Sequence, residues 1–287
     1  MTGFITRQER FAVVGSTNDV VRGWLADGTA EVCLAIADEQ SAGRGRHGRT
    51  WTAPTGAALL LSLGFRPTWL DPDRVWRLAA TASLAMADAA EEVAYLPDLA
   101  IRLKWPNDLV VETHGPAVPM APQVATEVRK LAGVLGETDG LGGPDPRAVV
   151  GLGINTEWAV AAFPPELAGS MTSLREAASG RPIDHVALLD AFLGRLEVRI
   201  EALRGGRFDV GDWTARQLTT GRDIVLTNPD GTSNEVRAVG VDVASGALVI
   251  EDAESPGGER SVVVGEVRHV RLAPAGAPGA SSAPVGV

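Results

Sequence analysis

The sequence predicts an α+β fold in which a large domain of strands and helices precedes a small β barrel. Short apolar runs suited to buried strands alternate with long amphipathic helices as far as residue 215. Beyond that point the pattern changes to short β-type runs separated by turns such as Ser245-Gly246, as in small barrels. We therefore expect one domain over 1–215, a second over 216–273 and a disordered tail over 274–287, where every residue is Ala, Pro, Gly, Ser or Val.

Helix boundaries follow from capping residues and apolar periodicity. The first helix is expected to begin at Ser16 or Thr17, which suit an N-cap, and to end at Gly28. An alanine-rich stretch carries an apolar stripe of helical period, and a further long helix is closed by Gly205-Gly206. The predicted helices cover residues 16–27, 74–93 and 184–203.

Buried strands are predicted where a short apolar run is bounded by polar or turn residues. Ile101–Trp105 alternates as a strand does and stops at Pro106, which cannot donate to a ladder. After Val111 a Pro-rich stretch through Pro122 is interpreted as a surface excursion. The other predicted strands are Val32–Ala37, Ala57–Leu63, Leu131–Leu135 and Val149–Ile154 in the large domain, and Asp223–Thr227, Glu235–Val243, Ala247–Glu251, Arg260–Val264 and Val267–Leu272 in the small one.

The net charge and the cysteine content restrict the function classes. A formal net charge of −10 and a pI of about 5.0 argue against a general nucleic-acid binder. The single cysteine, Cys33, lies in an apolar run and cannot form an internal disulfide, which favours the cytoplasm. The polar start of the chain predicts no secretory signal, and no apolar run reaches the roughly 20 residues that a membrane helix needs.

The most informative segment is Gly43–Trp51, in which three arginines stand among three glycines and a tryptophan closes the run. Glycine allows the backbone to approach a ligand closely, and arginine pairs with phosphate or carboxylate oxygens. Trp51 offers a flat face on which a purine can stack. Arg-Gly runs also occur in solvated nucleic-acid-binding segments. Here predicted core strands flank the run on both sides, which favours a loop that folds over an adenylate.

A second candidate segment, Lys104–Asp108, places a cation, an amide and a carboxylate beyond a strand end, where α/β sheets tend to bind ligands. Lys104 can hold phosphate or carboxylate oxygens as a point charge. Asn107 can contact a base or ribose, and Asp108 can contact a metal carried by a nucleotide. A tight turn without a ligand is the alternative for this segment.

Three further segments are weaker when taken alone. Lys130 precedes the apolar run Leu131–Leu135, although lysine is seldom buried unpaired; a charge that protects a strand edge is the alternative. Gly151–Asn155 either allows close backbone approach at a strand end or is a packed strand. Gly15–Asp19 caps a helix, and free amides at a helix start also bind acceptors. The four histidines lack metal-ligand spacing, and no hydrolase or dinucleotide motif appears.

In this order and spacing the five segments resemble the motifs of the biotin protein ligases, over roughly residues 11–272. The motifs are Ser-Thr-Asn, Gly-Arg-Gly-Arg-x-Gly-Arg-x-Trp, Lys-Trp-Pro-Asn-Asp, Lys-Leu-Ala-Gly and Gly-x-Gly-Ile-Asn. The resemblance implies a mixed β-sheet catalytic domain with the class II synthetase-like biotin/lipoate ligase fold and a C-terminal SH3-like barrel. It also implies an ATP-dependent biotin–[acetyl-CoA-carboxylase] ligase. Such an enzyme makes biotinoyl-5′-AMP from biotin and MgATP and then transfers biotin to a lysine of a biotin carboxyl carrier domain.

The resemblance also assigns roles to the residues that match these motifs. Mg²⁺ is expected to arrive with ATP, near Asp108, without a protein site of its own. The implied catalytic residues are Arg46, Lys104 and Lys130. The implied biotin-binding residues are Ser16, Thr17, Asn18, Gln40, Gly43, Arg44, Arg46, Lys130 and Gly133. The implied ATP-binding residues are Arg46, Arg49, Trp51, Lys104, Asn107, Asp108 and Asn155.

These charges suit the implied chemistry. Attack of a carboxylate on a phosphate brings two anions together, so cations must neutralise the repulsion and the charge that develops. A mixed anhydride hydrolyses when wet, and a loop that closes over it and excludes water is therefore required.

The sequence departs from the family pattern at two places. His47 stands where a further basic residue is common, which would weaken the attraction for phosphate, and the stretch 112–129 is longer and more Pro-rich than expected. No winged helix-turn-helix is expected before the catalytic domain, so the protein is not expected to repress transcription. The implied partner is the carrier protein or domain of an acetyl-CoA, acyl-CoA or pyruvate carboxylase, without nucleic acid or membrane. Monomer and homodimer both stay open.

Two other functions are compatible with parts of this sequence. Lipoate or octanoate ligases share the fold and the adenylation chemistry but lack the Gly-Arg-Gly-Arg loop, and Ser16, Thr17 and Gln40 supply the hydrogen-bond partners that a ureido ring needs. A nucleic-acid-binding module with an Arg-Gly loop is opposed by charge, since 36 Asp and Glu outnumber 26 Lys and Arg.

Overall fold

A computed structural model describes residues 3–113, 127–227, 232–263 and 269–272, without the side chains of His47, Thr113, Val160 and 269–272. Most of the predicted surface excursion, the predicted tail and parts of the last two predicted strands lie outside the described residues. In the part of the chain that is described, no helix has the length and apolar character needed to cross a membrane.

The large domain is built on a mixed seven-stranded sheet, as the sequence predicts. The strand order is β1-β2-β3-β7-β6-β5-β4; β1 and β2 run parallel, and the other neighbours run antiparallel. These strands are β1 (Arg7–Val14), β2 (Cys33–Gln40), β3 (Ala58–Phe65), β4 (Ile101–Lys104), β5 (Asp108–Thr113), β6 (Glu127–Asp139) and β7 (Arg147–Asn155).

Helices cover both faces of this sheet. Two long helices pack against each other and against the main apolar core on one face, whereas the first helix lies on the opposite face against β2, β3 and β7. The helices are α1 (Thr17–Ala26), α2 (Trp76–Ala94), α3 (Pro165–Ala168), α4 (Leu174–Ala177), α5 (His185–Arg204) and α6 (Val210–Ala215).

Several boundaries differ from the sequence predictions for physical reasons. Ser16 is the N-cap of α1, but its side chain makes no capping hydrogen bond. Helix α2 begins at Trp76 and ends at Ala94, where the next residue, Tyr95, adopts a left-handed backbone with φ 52°. Strand β1 was not predicted, because charged side chains alternate along this half-solvated edge strand and leave no apolar run. Trp105 was predicted to lie in a strand, but β4 ends at Lys104.

The small domain contains a five-stranded antiparallel sheet with the order β11-β10-β9-β8-β12. Over residues 223–227, 233–262 and 269–272, the two outer strands do not pair with each other, so this sheet is not closed there. An SH3-like barrel and the domain limits therefore stay predictions. The strands are β8 (Asp223–Thr227), β9 (Ser233–Val241), β10 (Leu248–Glu251), β11 (Glu259–Val262) and β12 (His269–Leu272).

Tryptophan side chains join the two sheets. Trp105, which follows β4, is 4% exposed in the core of the small sheet, and its Nε1 donates to the Gly246 carbonyl at 2.9 Å. Gly246 also lies against the Trp76 ring of α2. Leu103, in the edge strand β4, forms a parallel β-bridge with Gln217. Gln217 thereby extends the edge of the large sheet by one short pairing. The small sheet is therefore held against the end of β4.

A buried ion cluster ties α2 to α6. The Arg216 side chain is 4% exposed and pairs with Glu91, itself 5% exposed, at 2.8 Å. Arg216 also pairs with Asp88 at 2.6 Å and with Asp212 at 3.1 Å. Burial opposes the charge, but hydrogen bonding to Glu91 and the nearby carboxylates raise the pKa of Arg216.

We expect Gly246→Ala to lower the free energy of unfolding by about 2–4 kcal/mol in urea titrations. A Cβ at Gly246 would lie 2.8 Å from the Trp76 ring, and the backbone has φ +73°. Gly221→Ala is the matched control, because it has the same φ of +73° and no atom within 4 Å of the added Cβ. Equal losses in the two variants would show that the Trp76 contact contributes nothing.

We expect Arg216→Met to cost about 3–5 kcal/mol of unfolding free energy, because it leaves the buried Glu91 without its cation, whereas Asp88 and Asp212 keep their pairs with Arg199. Arg237→Met is the control, since Arg237 and Asp223 are 44% and 66% exposed, and the expected cost is under about 1 kcal/mol. Chemical denaturation followed by circular dichroism measures both. A loss below about 1 kcal/mol for Arg216→Met would contradict a structural role for the cluster.

Candidate active site

A cavity of about 810 Å³ opens on the sheet face that carries α1. Its walls come from the start of α1, the end of β2, the Gly43–Trp51 loop and the turn between β4 and β5, and strands β6 and β7 form its floor. The structure thus gathers segments that are far apart in sequence. Among the residues singled out by the sequence, the cavity is lined by Ser16, Thr17, Asn18, Gln40, Arg44, Arg46, Arg49, Trp51, Lys104, Asn107, Asp108, Lys130 and Gly133.

Two residues that the sequence predicts to bind ligand, Gly43 and Asn155, are not among the residues that line the cavity. Gly43 packs against the loop itself: its carbonyl accepts from the Trp51 amide at 2.9 Å, and a Cβ there would lie 2.4 Å from the Trp51 carbonyl oxygen. Asn155 is fully buried, and its Nδ2 donates to the Thr172 carbonyl at 3.0 Å. Its Oδ1 has no hydrogen-bond partner among the described residues.

Glycines form the floor because other segments cross the sheet there. Gly133 and Gly153 pair across β6 and β7, and the Trp51 indole lies over both. A Cβ would lie 2.7 Å from the Trp51 ring at Gly153 and 3.2 Å at Gly133. At Gly151 it would lie 2.1 Å from Asn18 Oδ1. A side chain at Gly151 or Gly153 would therefore displace Asn18 or Trp51, whereas at Gly133 the Trp51 ring would have to shift only slightly.

One end of the cavity is a buried, neutral hydrogen-bonding site. The Thr17 amide and hydroxyl both donate to Gln40 Oε1, at 2.7 and 3.0 Å. Ser62 Oγ, on β3, lies 2.7 Å from Thr17 Oγ1 and 2.5 Å from Asn18 Oδ1. Ser16, Thr17, Asn18 and Ser62 are all at most 4% exposed. A ligand group bound here exchanges water for fixed polar partners.

The other end is cationic. Six cationic side chains and three carboxylates line the cavity, in a protein whose net charge is −10. Two of the cations also pair with carboxylates outside this lining, Arg44 with Asp19 and Glu137, and Arg222 with Glu112. Lys130 Nζ lies 2.6 Å from Asp108 Oδ1 and 5.4 Å from the centre of the Trp51 ring. Burial lowers the pKa of Arg46. This end is suited to an anion of more than one charge. The cations are Arg44, Arg46, Arg49, Lys104, Lys130 and Arg222, and the carboxylates are Asp108, Glu127 and Glu166.

The loop is fastened over the cavity by Arg44. Its guanidinium pairs with Asp19 at 2.6 Å and with Glu137 at 3.1 Å, and Arg44 forms a β-bridge with Thr50 across the loop. Hydrogen bonding to Asp19 raises the pKa of Arg44 and lowers that of Asp19. Burial alone would raise the pKa of Glu137, but hydrogen bonds from Asn18 and Arg44 lower it. These groups are charged at neutral pH.

Sequence reasoning did not single out Ser62, Glu137 or Arg222. Strand alternation along β6 places Glu137 on the same face as Gly133, and that period was the available signal. Arg222 lines the cavity from the segment before β8 and pairs with Glu112 at 2.7 Å, a contact that no local pattern indicates.

No group of three or more His, Cys, Asp or Glu residues within the described ranges could hold a metal ion. Asp108, the residue expected near a nucleotide-borne Mg²⁺, directs one carboxylate oxygen to Lys130. It is suited to contact such a metal but does not form a site for one.

Comparisons with known proteins agree on a family. The model of the biotin/lipoate A/B protein ligase family matches residues 11–155. The chain is 32% identical over 265 residues to the biotin–[acetyl-CoA-carboxylase] ligase of Mycobacterium tuberculosis, covering 91% of this chain and 88% of that protein. It is 29% identical over 247 residues to the enzyme of the same name from Paracoccus denitrificans, covering 85% and 92%. Its fold is similar to that of the Aquifex aeolicus biotin protein ligase solved with biotin and ATP, with a TM-score of 0.72, 24% identity, and coverage of 93% and 99%.

We expect Gly153→Ala to displace the Trp51 indole, because the added Cβ would lie 2.7 Å from the ring. Acrylamide quenching of the Trp51 fluorescence, taken as the difference from a Trp51→Phe background, should rise. Gly136→Ala on β6 is the control, since its Cβ would meet nothing closer than Ala79 at 3.9 Å. Quenching equal to that of the wild type would mean that Trp51 does not rest on Gly153.

Proposed function

The chain belongs to the biotin/lipoate A/B protein ligase family, and from that membership we propose that it is an ATP-dependent biotin–[acetyl-CoA-carboxylase] ligase. It converts biotin and ATP to biotinoyl-5′-AMP and pyrophosphate, and it passes the biotinyl group to a lysine of a biotin carboxyl carrier domain. One observation carries the proposal: a single cavity has a buried neutral hydrogen-bonding end and a cationic end. Biotin has a polar uncharged ring and a carboxylate, which fit those two ends.

The neutral end is assigned to the ureido ring. A buried polar ring costs free energy unless its donors and acceptors are matched. Ser16, Thr17, Asn18 and Gln40 offer hydroxyl and amide groups of both kinds at this end. A lipoyl chain has no such polar ring and would make no hydrogen bonds to these groups, which favours biotin over lipoate.

The nucleotide is assigned to the cationic end and the Trp51 side. Trp51 has an indole face for stacking, Asn107 directly precedes β5, and Asn155 is the last residue of β7. The fully buried Asn155 Oδ1, with no described partner, is an acceptor that suits the exocyclic amine of adenine if the wall above it moves. Mg²⁺ enters with the triphosphate and neutralises part of its charge.

In the first step a biotin carboxylate oxygen forms a bond to the α-phosphorus of ATP. The bond from that phosphorus to the β-phosphate oxygen breaks, and pyrophosphate leaves with the electron pair. Arg46, Lys104 and Lys130 supply the positive charge that allows the two anions to meet. Lys130 starts in a pair with Asp108, so that it must turn toward, or share its charge with, the reacting oxygens.

In the second step the neutral amine of the acceptor lysine attacks the biotinyl carbonyl carbon. AMP leaves, an amide forms, and the amine proton is released. The adenylate must survive until the carrier arrives, and the Gly43–Trp51 loop, fastened by Arg44 over the cavity, limits the access of water.

Further parts of the proposal rest on the resemblance and the relatives. The catalytic domain covers 1–215, an SH3-like domain covers 216–273, and the tail follows. The acceptor is the carrier domain of an acyl-CoA or pyruvate carboxylase, without a nucleic-acid or membrane partner. The reduced, fully buried Cys33 supports a cytoplasmic location, and burial raises the pKa of its thiol to about 11, so it is unreactive at neutral pH.

Exchange of labelled pyrophosphate into ATP tests the proposed activity. We expect exchange with biotin and none with lipoate, octanoate or no acid, because adenylate formation requires the acid that fits the neutral end. Exchange with lipoate alone would identify a lipoate ligase. Absence of exchange with every acid, together with salt-sensitive binding to RNA, would instead support the nucleic-acid-binding alternative.

We expect Lys130→Ala and Arg46→Ala each to lower kcat/KM of biotin-dependent exchange by about 10²- to 10³-fold, the effect of removing one group that stabilises developing charge. Thermal melting should change little. Arg129→Ala is the control, since Arg129 is adjacent to Lys130 but pairs with Glu127 and does not line the described cavity. Full activity in either cavity variant would remove that residue from the mechanism.

A further inference from the structure

Three segments at the neutral end of the cavity meet at one carboxylate behind its described wall. Glu137 Oε2 accepts from Asn18 Nδ2 at 2.6 Å. The same oxygen lies 3.1 Å from Nη2 of Arg44 and 2.9 Å from Nη2 of Arg22. The Glu137 side chain is 26% exposed. A single side chain on β6 thus contacts both α1 and the Gly43–Trp51 loop.

From Glu137 an unbroken series of contacts runs along the neutral end. Asn18 is bonded to Glu137 and lies 2.5 Å from Ser62 Oγ, which in turn lies 2.7 Å from Thr17 Oγ1. Thr17 donates to Gln40 Oε1. The slot for the Asn18 amide exists because Gly151 has no side chain. The orientations of Asn18, Ser62 and Thr17 therefore depend on Glu137, the residue at which this series begins.

Two ion pairs of Arg44 anchor the Gly43–Trp51 loop, and the pair with Glu137 is better shielded from solvent than the pair with Asp19. Arg44 has two carboxylate partners, and the Asp19 side chain is 50% exposed whereas that of Glu137 is 26% exposed. Solvent and salt screen the Asp19 pair more strongly. The hydrogen bonds that Glu137 accepts keep its pKa below the usual glutamate value despite burial, so its charge persists at neutral pH.

We propose that Glu137 is a positioning residue for biotin binding, which holds the Gly43–Trp51 loop closed through Arg44 and orients Asn18 and Thr17 toward the ureido ring. It touches no reacting atom and acts through its neighbours. The part of this proposal that concerns biotin rests on the proposed function. The anchoring of the loop rests only on the contact between Glu137 and Arg44.

Glu137→Gln is the informative variant. The amide keeps the size of the side chain and an oxygen for Asn18, but it removes the charge that holds Arg44. We expect the KM for biotin in pyrophosphate exchange to rise about tenfold or more, the size of a hydrogen bond between charged groups, with kcat within about twofold. A role in stability alone would not produce this split between KM and kcat.

Limited proteolysis tests the anchor without any substrate. Trypsin cleaves after arginine, and in the ligand-free protein Glu137→Gln should raise the cleavage rate after Arg44, Arg46 and Arg49 by about tenfold, because cleavage follows the population of the open loop. Fragment masses locate the cuts. Glu31→Gln is the matched control.

Glu31 resembles Glu137 in its bonding but lies away from the cavity. It is 17% exposed and accepts from the Arg66 amide at 2.7 Å, Trp69 Nε1 at 2.8 Å and Arg204 at 2.9 Å. Glu31→Gln should therefore leave the KM for biotin and the rate of tryptic cleavage in the Gly43–Trp51 loop at their wild-type values.

An unchanged biotin KM or unchanged loop cleavage in Glu137→Gln would overturn the proposal, and so would equal effects in Glu31→Gln. If Glu137→Gln does not fold, Arg44→Gln tests the same bond from the loop side, where the side chain is 34% exposed. Unchanged cleavage after Arg46 and Arg49 in that variant would overturn it as well. If the wild-type protein does not use biotin, the proposed function is wrong, and so is the proposed effect of Glu137 on biotin binding. The cleavage rates would still show whether Glu137 holds the loop closed.

Discussion

The burial of Trp105 in the core of the small sheet is the constraint on which the cavity depends. Trp105 lies between Lys104 and the turn that leads to Asp108, so fixing its indole fixes the cationic end of the cavity. The indole is almost fully buried and donates to the Gly246 carbonyl. The large sheet supplies the cavity floor, and the small sheet holds one wall in place. Neither sheet alone forms the complete site.

The cavity's chemistry could be inferred from sequence because its residue types carry the information locally. Glycines next to arginines, and a lysine after a strand, indicate an anion site wherever they lie in a fold. Their convergence required the family resemblance. Arg222 carries no such local signal, and for Glu137 strand alternation indicates only which face of β6 it lies on, since a single charged residue on a strand or before one is ordinary. Their significance comes from partners on other segments, Asn18 and Glu112, which only the tertiary structure brings near.

The fold was predictable to the extent that burial leaves a pattern. Strands β3 and β7 are buried along almost their whole length and β2 along its first five residues, and these buried stretches are mainly apolar in sequence. The edge strand β1 exposes most of its residues and shows no such run. The role of Trp105 was not predictable from its own segment, because its packing partners lie more than a hundred residues away in the small sheet.

The charge distribution has a consequence for how quickly ligands arrive. A cationic cavity sits in a body of net charge −10, so a triphosphate is repelled by the body as a whole and attracted near the mouth. At physiological ionic strength the screening length is about 8 Å, which weakens the distant repulsion while the field inside the cavity persists. Moderate salt should therefore assist nucleotide capture before higher salt opposes it. The association rate then passes through a maximum with ionic strength instead of falling steadily.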